Sequence, residues 1–380
     1  MYHATKVALI VAVFGLSSVA CGGLLGVDFG DARPLDDAAA LPEQAAGDAG
    51  GEPDGDGGTA SVDAGDGATC GACGELATCQ GNVCVPSVVL FGGMTNDPDA
   101  GTSQFFDDTW LWDGQTWRQA SATATHPSAR ADFSIGALNG NVLLYGGANT
   151  NEQPVGYGDT WSFSTAGKWT DTMATSGPYG RQSAAMARLG TKLVLFGGWD
   201  YDDIGTSPGN WIDETWDWDG QFWTQHTVPG PTGRRNAALA PLGGKLVLFG
   251  GSDKNGKLLA DTWEWDGNGW TLRMPAHSPP GRAYHSMATL GSKVVMFGGD
   301  LGGNRVWEWD GTDWTATLTL GPVPRVGAAM VSFSGKIVLF GGQNANGKAL
   351  NDTWEWNGTK WTQREVTGPS ARMLHGMVAP

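Results

Sequence analysis

Six short apolar runs punctuate this chain, and each ends in a glycine doublet. The doublets are Gly92-Gly93, Gly146-Gly147, Gly197-Gly198, Gly250-Gly251, Gly298-Gly299 and Gly341-Gly342, spaced 43–54 residues apart. A continuous apolar run such as Ile337-Val338-Leu339-Phe340 predicts a strand buried on both faces. The glycines let the backbone bend where a Cβ would clash. After each doublet comes a polar loop and then a Trp-rich run, as in Asp352-Thr353-Trp354-Glu355-Trp356-Asn357-Gly358. Trp354 and Trp356 lie two apart, so they share one face of a strand, and Asn-Gly predicts a tight hairpin into the run at Trp361. A further strand, opened by Arg130, Arg181, Arg234, Arg282 or Arg325, precedes the second to sixth apolar runs, and Arg372 opens one more after the last. The predicted unit is therefore a four-stranded antiparallel sheet. A period near fifty marks a repeat architecture whose units bury their faces against one another.

Composition agrees. The 380 residues include 60 Gly and 19 Trp, with only 16% charged. Seventeen Trp occupy repeat slots, at 110, 112, 117, 161, 169, 216, 218, 223, 263, 265, 270, 307, 309, 314, 354, 356 and 361. Each can bury ~150–250 Å², so they are expected to glue neighbouring units. The formal charge of −16 argues against nucleic acid as a partner. Much of that charge sits in residues 21–69, which carry eleven acids and one base.

The Gly-Gly doublets, the Asp-Thr-Trp runs and the downstream Trp-Thr resemble the kelch family of β-propellers. That resemblance covers the chain from about residue 85 to its end. It implies an all-β, six-bladed kelch-type β-propeller over 85–380. The first copy has no Arg-led strand before it, and the chain ends with an extra one, so 373–380 is expected to complete the first blade. One departure stands out. The fifth copy lacks the Asp before Val306-Trp307.

Residues 1–20 read as a signal peptide, with Lys6 before an apolar stretch, too short for a stable membrane span. Leu16-Ser17-Ser18-Val19-Ala20-Cys21 resembles a bacterial lipobox, departing at Ser18, and implies a lipidated Cys21. Ser18-Val19-Ala20 would also suit an ordinary signal peptidase. Gly22 after the Cys resembles an outer-membrane lipoprotein of a Gram-negative bacterium; plain secretion is the alternative. Residues 21–69 are expected to be a disordered acidic tether. Cys70, Cys73, Cys79 and Cys84 form a Cys-rich segment over 70–84. Export favours two disulfides over zinc, with three pairings open.

Candidate chemistry lies where the repeat breaks. The longest loops run from Met94 to Asp107 and from Trp199 to Asp213. Trp199, Asp200, Tyr201, Asp202, Asp203 and Trp211 place aromatics beside carboxylates, which suits sugar stacking or a weak Ca²⁺ site. The six Arg could ring a channel mouth and attract an anion, or each could pair with an acid or with turn carbonyls; the second reading follows from one Arg per repeat. His285 and His375 occupy one repeat slot and carry no independent metal signal. Residues 85–380 contain no Cys, so the Tyr–Cys cross-link of copper oxidases resembling galactose oxidase cannot form. No catalytic residue, metal or cofactor is singled out. The expected function is an exported, membrane-tethered binding or scaffold propeller that recognises a glycan or envelope protein. The alternative is a carbohydrate-active hydrolase, lyase or isomerase at the channel mouth.

Overall fold

The computed structural model describes residues 73, 75–80, 83–97, 102–149, 156–174, 176–200, 209–300 and 303–380. The signal peptide, the tether, Cys21, Cys70, Tyr201, Asp202 and Asp203 lie outside the described residues. Six four-stranded antiparallel sheets form the body. From inner to outer strand, blade 2 runs Ser134–Leu138, Asn141–Tyr145, Thr160–Phe163 and Trp169–Asp171. Blades 3 to 6 follow in the same order, with inner strands Ala185–Leu189, Ala238–Leu242, His285–Leu290 and Ala329–Phe333. Blade 1 is assembled from both ends of the ring. Its three outer strands are Val88–Phe91, Thr109–Trp112 and Trp117–Gln119, and its inner strand is Gly376–Val378. The six inner strands each neighbour the next around a closed ring.

The second strand of each blade is the most deeply buried element, as its unbroken apolar run predicts; Val88 to Phe91 have no exposed surface. Six apolar clusters fill the six seams. Between blades 5 and 6, for example, Val295, Phe297 and Val306 meet Met330, Ile337, Leu339, Trp356 and Trp361. The outer-strand Trp is the bolt of each seam. Trp314 Nε1 donates to Thr262 Oγ1 of the preceding blade at 2.9 Å, and Trp117 likewise reaches Thr353 at 2.9 Å across the ring closure.

The glycine doublets are required by close backbone approach. Gly341 and Gly342 have φ of 63° and 94°. A Cβ on Gly341 would lie 2.6 Å from the Arg372 carbonyl oxygen of the next blade. Gly342 donates its N–H to that same carbonyl at 2.8 Å, so the doublet and the Arg-led segment lock adjacent blades together.

The Cys-rich segment forms a small hairpin, Ala77–Gln80 against Val83–Pro86. Cys73 is bonded to Cys84, and Cys79 is also disulfide-bonded. The bond occupies both sulfurs of the first pair, so the zinc alternative fails there. The hairpin is docked on the ring. Leu76 is buried in the seam between blades 1 and 2 with Phe91, Leu111 and Trp169, and Arg118 Nη1 donates to Glu75 at 3.0 Å.

Candidate binding face

The third strand of each blade begins just after the long-loop connection, and its first residues set the chemistry below that face. In five blades an acid there accepts from the blade's Arg and from a Trp two residues on. Arg130 reaches Asp159 through Nη1 and Nη2 at 2.6 and 2.8 Å, and Trp161 Nε1 donates to the same carboxylate at 2.7 Å. Arg234–Asp261–Trp263, Arg325–Asp352–Trp354 and Arg372–Asp108–Trp110 repeat this arrangement, and Arg181–Glu214–Trp216 repeats it through one guanidinium nitrogen. Burial pushes the Asp261 and Asp352 carboxyls up, but the Arg and Trp hydrogen bonds outweigh it and hold them below their usual range.

The channel-mouth reading of the six arginines is therefore corrected. All are buried, and none lines the central pocket. In five blades the guanidinium is turned inward onto a carboxylate and a glycine carbonyl of its own blade, and in the fifth Arg282 is turned onto the Gly298 carbonyl with no carboxylate among the described residues.

The mouth is built instead by residues two positions after each Arg. Asp132, Ser183, Asn236, Tyr284, Gly327 and Leu374 all adopt left-handed φ of 56–62°. Their backbones form a closed hydrogen-bonded belt. Ser183 N donates to Asp132 O, Asn236 N to Ser183 O, Tyr284 N to Asn236 O, Gly327 N to Tyr284 O, Leu374 N to Gly327 O and Asp132 N to Leu374 O, at 2.8–3.1 Å. The belt fixes six backbones and leaves six side chains free to differ. Sequence reading missed it because the slot repeats in conformation and not in identity. The available signal was only a fixed position, two places after each Arg.

The belt gives the mouth two unlike halves. On blades 2 to 5 it presents Asp132, Ser183, Asn236 and Tyr284. Burial pushes the Asp132 carboxyl up against opposing effects of the Ser183 hydroxyl and the Arg235 charge. Asp300, after the fifth glycine doublet, is buried with Oδ1 unpaired among the described residues, and burial raises its carboxyl to about 7. On blades 6 and 1 the belt presents Gly327 and Leu374, beside the apolar cluster of Met94, Ala131 and Met373.

Trp199 and Trp211, at the two ends of the second long loop, sit against Arg235, the residue before Asn236 of the belt. Trp199–Asp200 pairs with Asn210–Trp211 as a short hairpin. The two indoles sit 5.9 Å apart at 49°. The Arg235 guanidinium lies 5.3 Å and 5.6 Å from their centroids. Asp200 accepts from Asn210 N at 2.9 Å, so it shapes the hairpin. Trp199 and Trp211 are thus brought together; Arg235 was not foreseen.

His285 and His375 are not brought together. His285 packs edge-on to Phe249 and His375 edge-on to Phe340, in different seams. Phe133 fills the same slot in blade 2 against Phe91. Burial, with the neighbouring Arg282 or Arg372 charge, pushes each imidazole down to about 3. Among the described residues no group of three His, Cys, Asp or Glu could hold a metal ion.

Residues 185–319 match the family profile of the KLHDC2/KLHL20/DRC7 Kelch-repeats domain, and residues 324–369 match that of the Kelch motif. The ring is a kelch-repeat β-propeller. A further similarity is to putative adagio-like protein 2 of Oryza sativa subsp. japonica, 30% identical over 155 residues. That stretch covers 38% of this chain and 23% of the rice protein, so the chain spans less than a quarter of that relative.

Proposed function

We propose that this kelch propeller is a binding module that takes a glycan or an envelope protein on its long-loop face. The observation that carries the reading is the Trp199–Trp211 pair with Arg235 over both rings, standing beside the polar half of the mouth. Paired aromatics present flat apolar area at low entropic cost, and a nearby cation and carboxylates orient polar groups of a ligand. In the same reading Cys21 is acylated and residues 21–69 act as an acidic tether that holds the ring away from an outer membrane.

Two experiments test it. Glycan-array and envelope-lysate capture with residues 70–380 should give a ligand whose binding falls at least ~10-fold in Trp199→Ala and Trp211→Ala, as expected when a stacking residue is lost. Undiminished binding by both variants contradicts the site. Labelled palmitate should enter the full chain and not Cys21→Ser; equal labelling contradicts the anchor.

A second reading, a carbohydrate-active enzyme, draws on Asp132 and Asp300. Both carboxyls are pushed up by burial and both act on the Tyr284 hydroxyl, and raised carboxyls are how acid catalysts are tuned. Turnover of a polysaccharide substrate abolished by Asp300→Asn would favour it over simple binding.

A further inference from the structure

We propose that the fifth blade holds a receptor for an external carboxylate, at the place where its five sister blades carry their own acid. The sister blades define the receptor. In each, Arg and Trp donors converge on one carboxylate at 2.6–2.9 Å. The fifth blade keeps both kinds of donor, Arg282 and Trp307, but carries Arg305 where the acid belongs. Arg282 Nη1 donates to the Gly298 carbonyl at 3.0 Å and Nε to Pro280 O at 3.2 Å, as its counterparts do. Nη2, which in every sister blade bonds the acid, has no acceptor among the described residues.

Three physical points support a ligand there. Arg282 is 1% exposed, and a buried guanidinium without a counter-charge is costly, so an arriving carboxylate would be favoured. Burial alone lowers its basicity to about 10, so it stays charged at neutral pH. The sister carboxylates keep 20–29% of their side-chain surface exposed, so the slot is reached from the loop face. The guanidinium fork matches a planar pair of oxygens, which selects a carboxylate over a monatomic anion. This site is separate from the Trp199–Trp211 wall and stands whether or not that wall binds anything.

The carboxylate could come from a free small acid or from an acidic side chain of a polypeptide, and one experiment distinguishes them. Thermal unfolding of the full chain is followed at pH 7 and constant ionic strength in acetate, in chloride, and with a Glu-containing hexapeptide or its Gln counterpart. Acetate is expected to raise Tm by at least ~2 °C over chloride, a shift of the size one favourable ion pair gives in a domain this large. Equal potency of acetate and the Glu peptide assigns a small acid; saturation at lower Glu-peptide concentration, with no effect of the Gln peptide, assigns a polypeptide. Arg305→Asp should raise Tm without ligand and abolish the response, while Arg305→Asn should keep it. Arg282→Met, which removes the fork, should lose the response independently of Arg305. No difference between chloride and any carboxylate, or a response that survives Arg305→Asp or Arg282→Met, overturns the proposal.

Discussion

Two neighbouring seams show what the Asp-Thr pair of the repeat does. In the seam between blades 4 and 5, Asp261 neutralises Arg234 and holds Trp263, while Thr262 accepts from Trp314 of the next blade. In the seam between blades 5 and 6, Arg305 and Val306 replace both residues. Among the described residues Arg282 then has no carboxylate, and the Trp361 indole nitrogen is buried without a partner. Yet Val306 and Trp361 remain buried together in the apolar cluster of that seam. Apolar burial therefore holds the blades together, and the polar pairs set register and satisfy buried donors. A blade that drops its polar pair keeps its place in the ring and gains unused donors.

The largest expected effect is on ring closure. Deleting 373–380 removes buried Met373 and Met377 and exposes the first apolar strand, and should cost at least ~5 kcal/mol. Denaturant unfolding indistinguishable from the intact chain would break the closure account. Next comes Asp261→Ala, which converts a regular blade into a copy of the fifth. It leaves Arg234 buried and unpaired, at a cost of ~3–5 kcal/mol. A loss below about 1 kcal/mol would place the pair outside the ~3–5 kcal/mol range of broken buried ion pairs and mean that no blade needs it.

The histidines give a pH prediction. Their folded pKa of about 3 lies below the ordinary 6.5, so the unfolded chain binds protons first. Stability from these groups is complete above about pH 6.5 and is lost progressively toward pH 3. His285→Phe, which copies Phe133 of blade 2, should reduce the stability lost between pH 7 and pH 4.5 by about 2–3 kcal/mol relative to the parent chain. Identical pH profiles would show that the imidazole is not held neutral. The paired acids respond in a lower window. Asp261 and Asp352 contribute above their ordinary 3.8 and are lost below it. The smallest effect is Val306→Thr, which should supply an acceptor to Trp361 and add ~1 kcal/mol. Unchanged stability in that variant would show that the orphaned indole costs the ring nothing.

The architecture was legible because burial on both faces, tight turns and Trp pairs each leave a residue pattern that recurs six times. The missing acid before Val306 was visible too. What it leaves behind was not, because the partners of Arg282 lie on separate strands and meet only in the folded blade. The belt was hidden for a different reason. A left-handed backbone at Asp132 or Tyr284 constrains φ and not side-chain identity, so six unlike residues share one role. Arg235 is next to that belt, but only the pairing of Trp199–Asp200 with Asn210–Trp211 brings both indoles against it. The cysteine set pointed to disulfides, while the docking of Leu76 and Glu75 against blades 1 and 2 depends on contacts that no local pattern records.

The most direct test is to move the vacancy. A chain carrying Arg305→Asp and Asp352→Ala fills the acid slot of blade 5 and empties that of blade 6, with Arg325 and Trp354 now unpaired. If the slot is a modular device, acetate should stabilise this double variant over chloride as it does the parent chain, and should do nothing for Arg305→Asp alone. A double variant indifferent to acetate, or a single variant that still responds, would contradict the account.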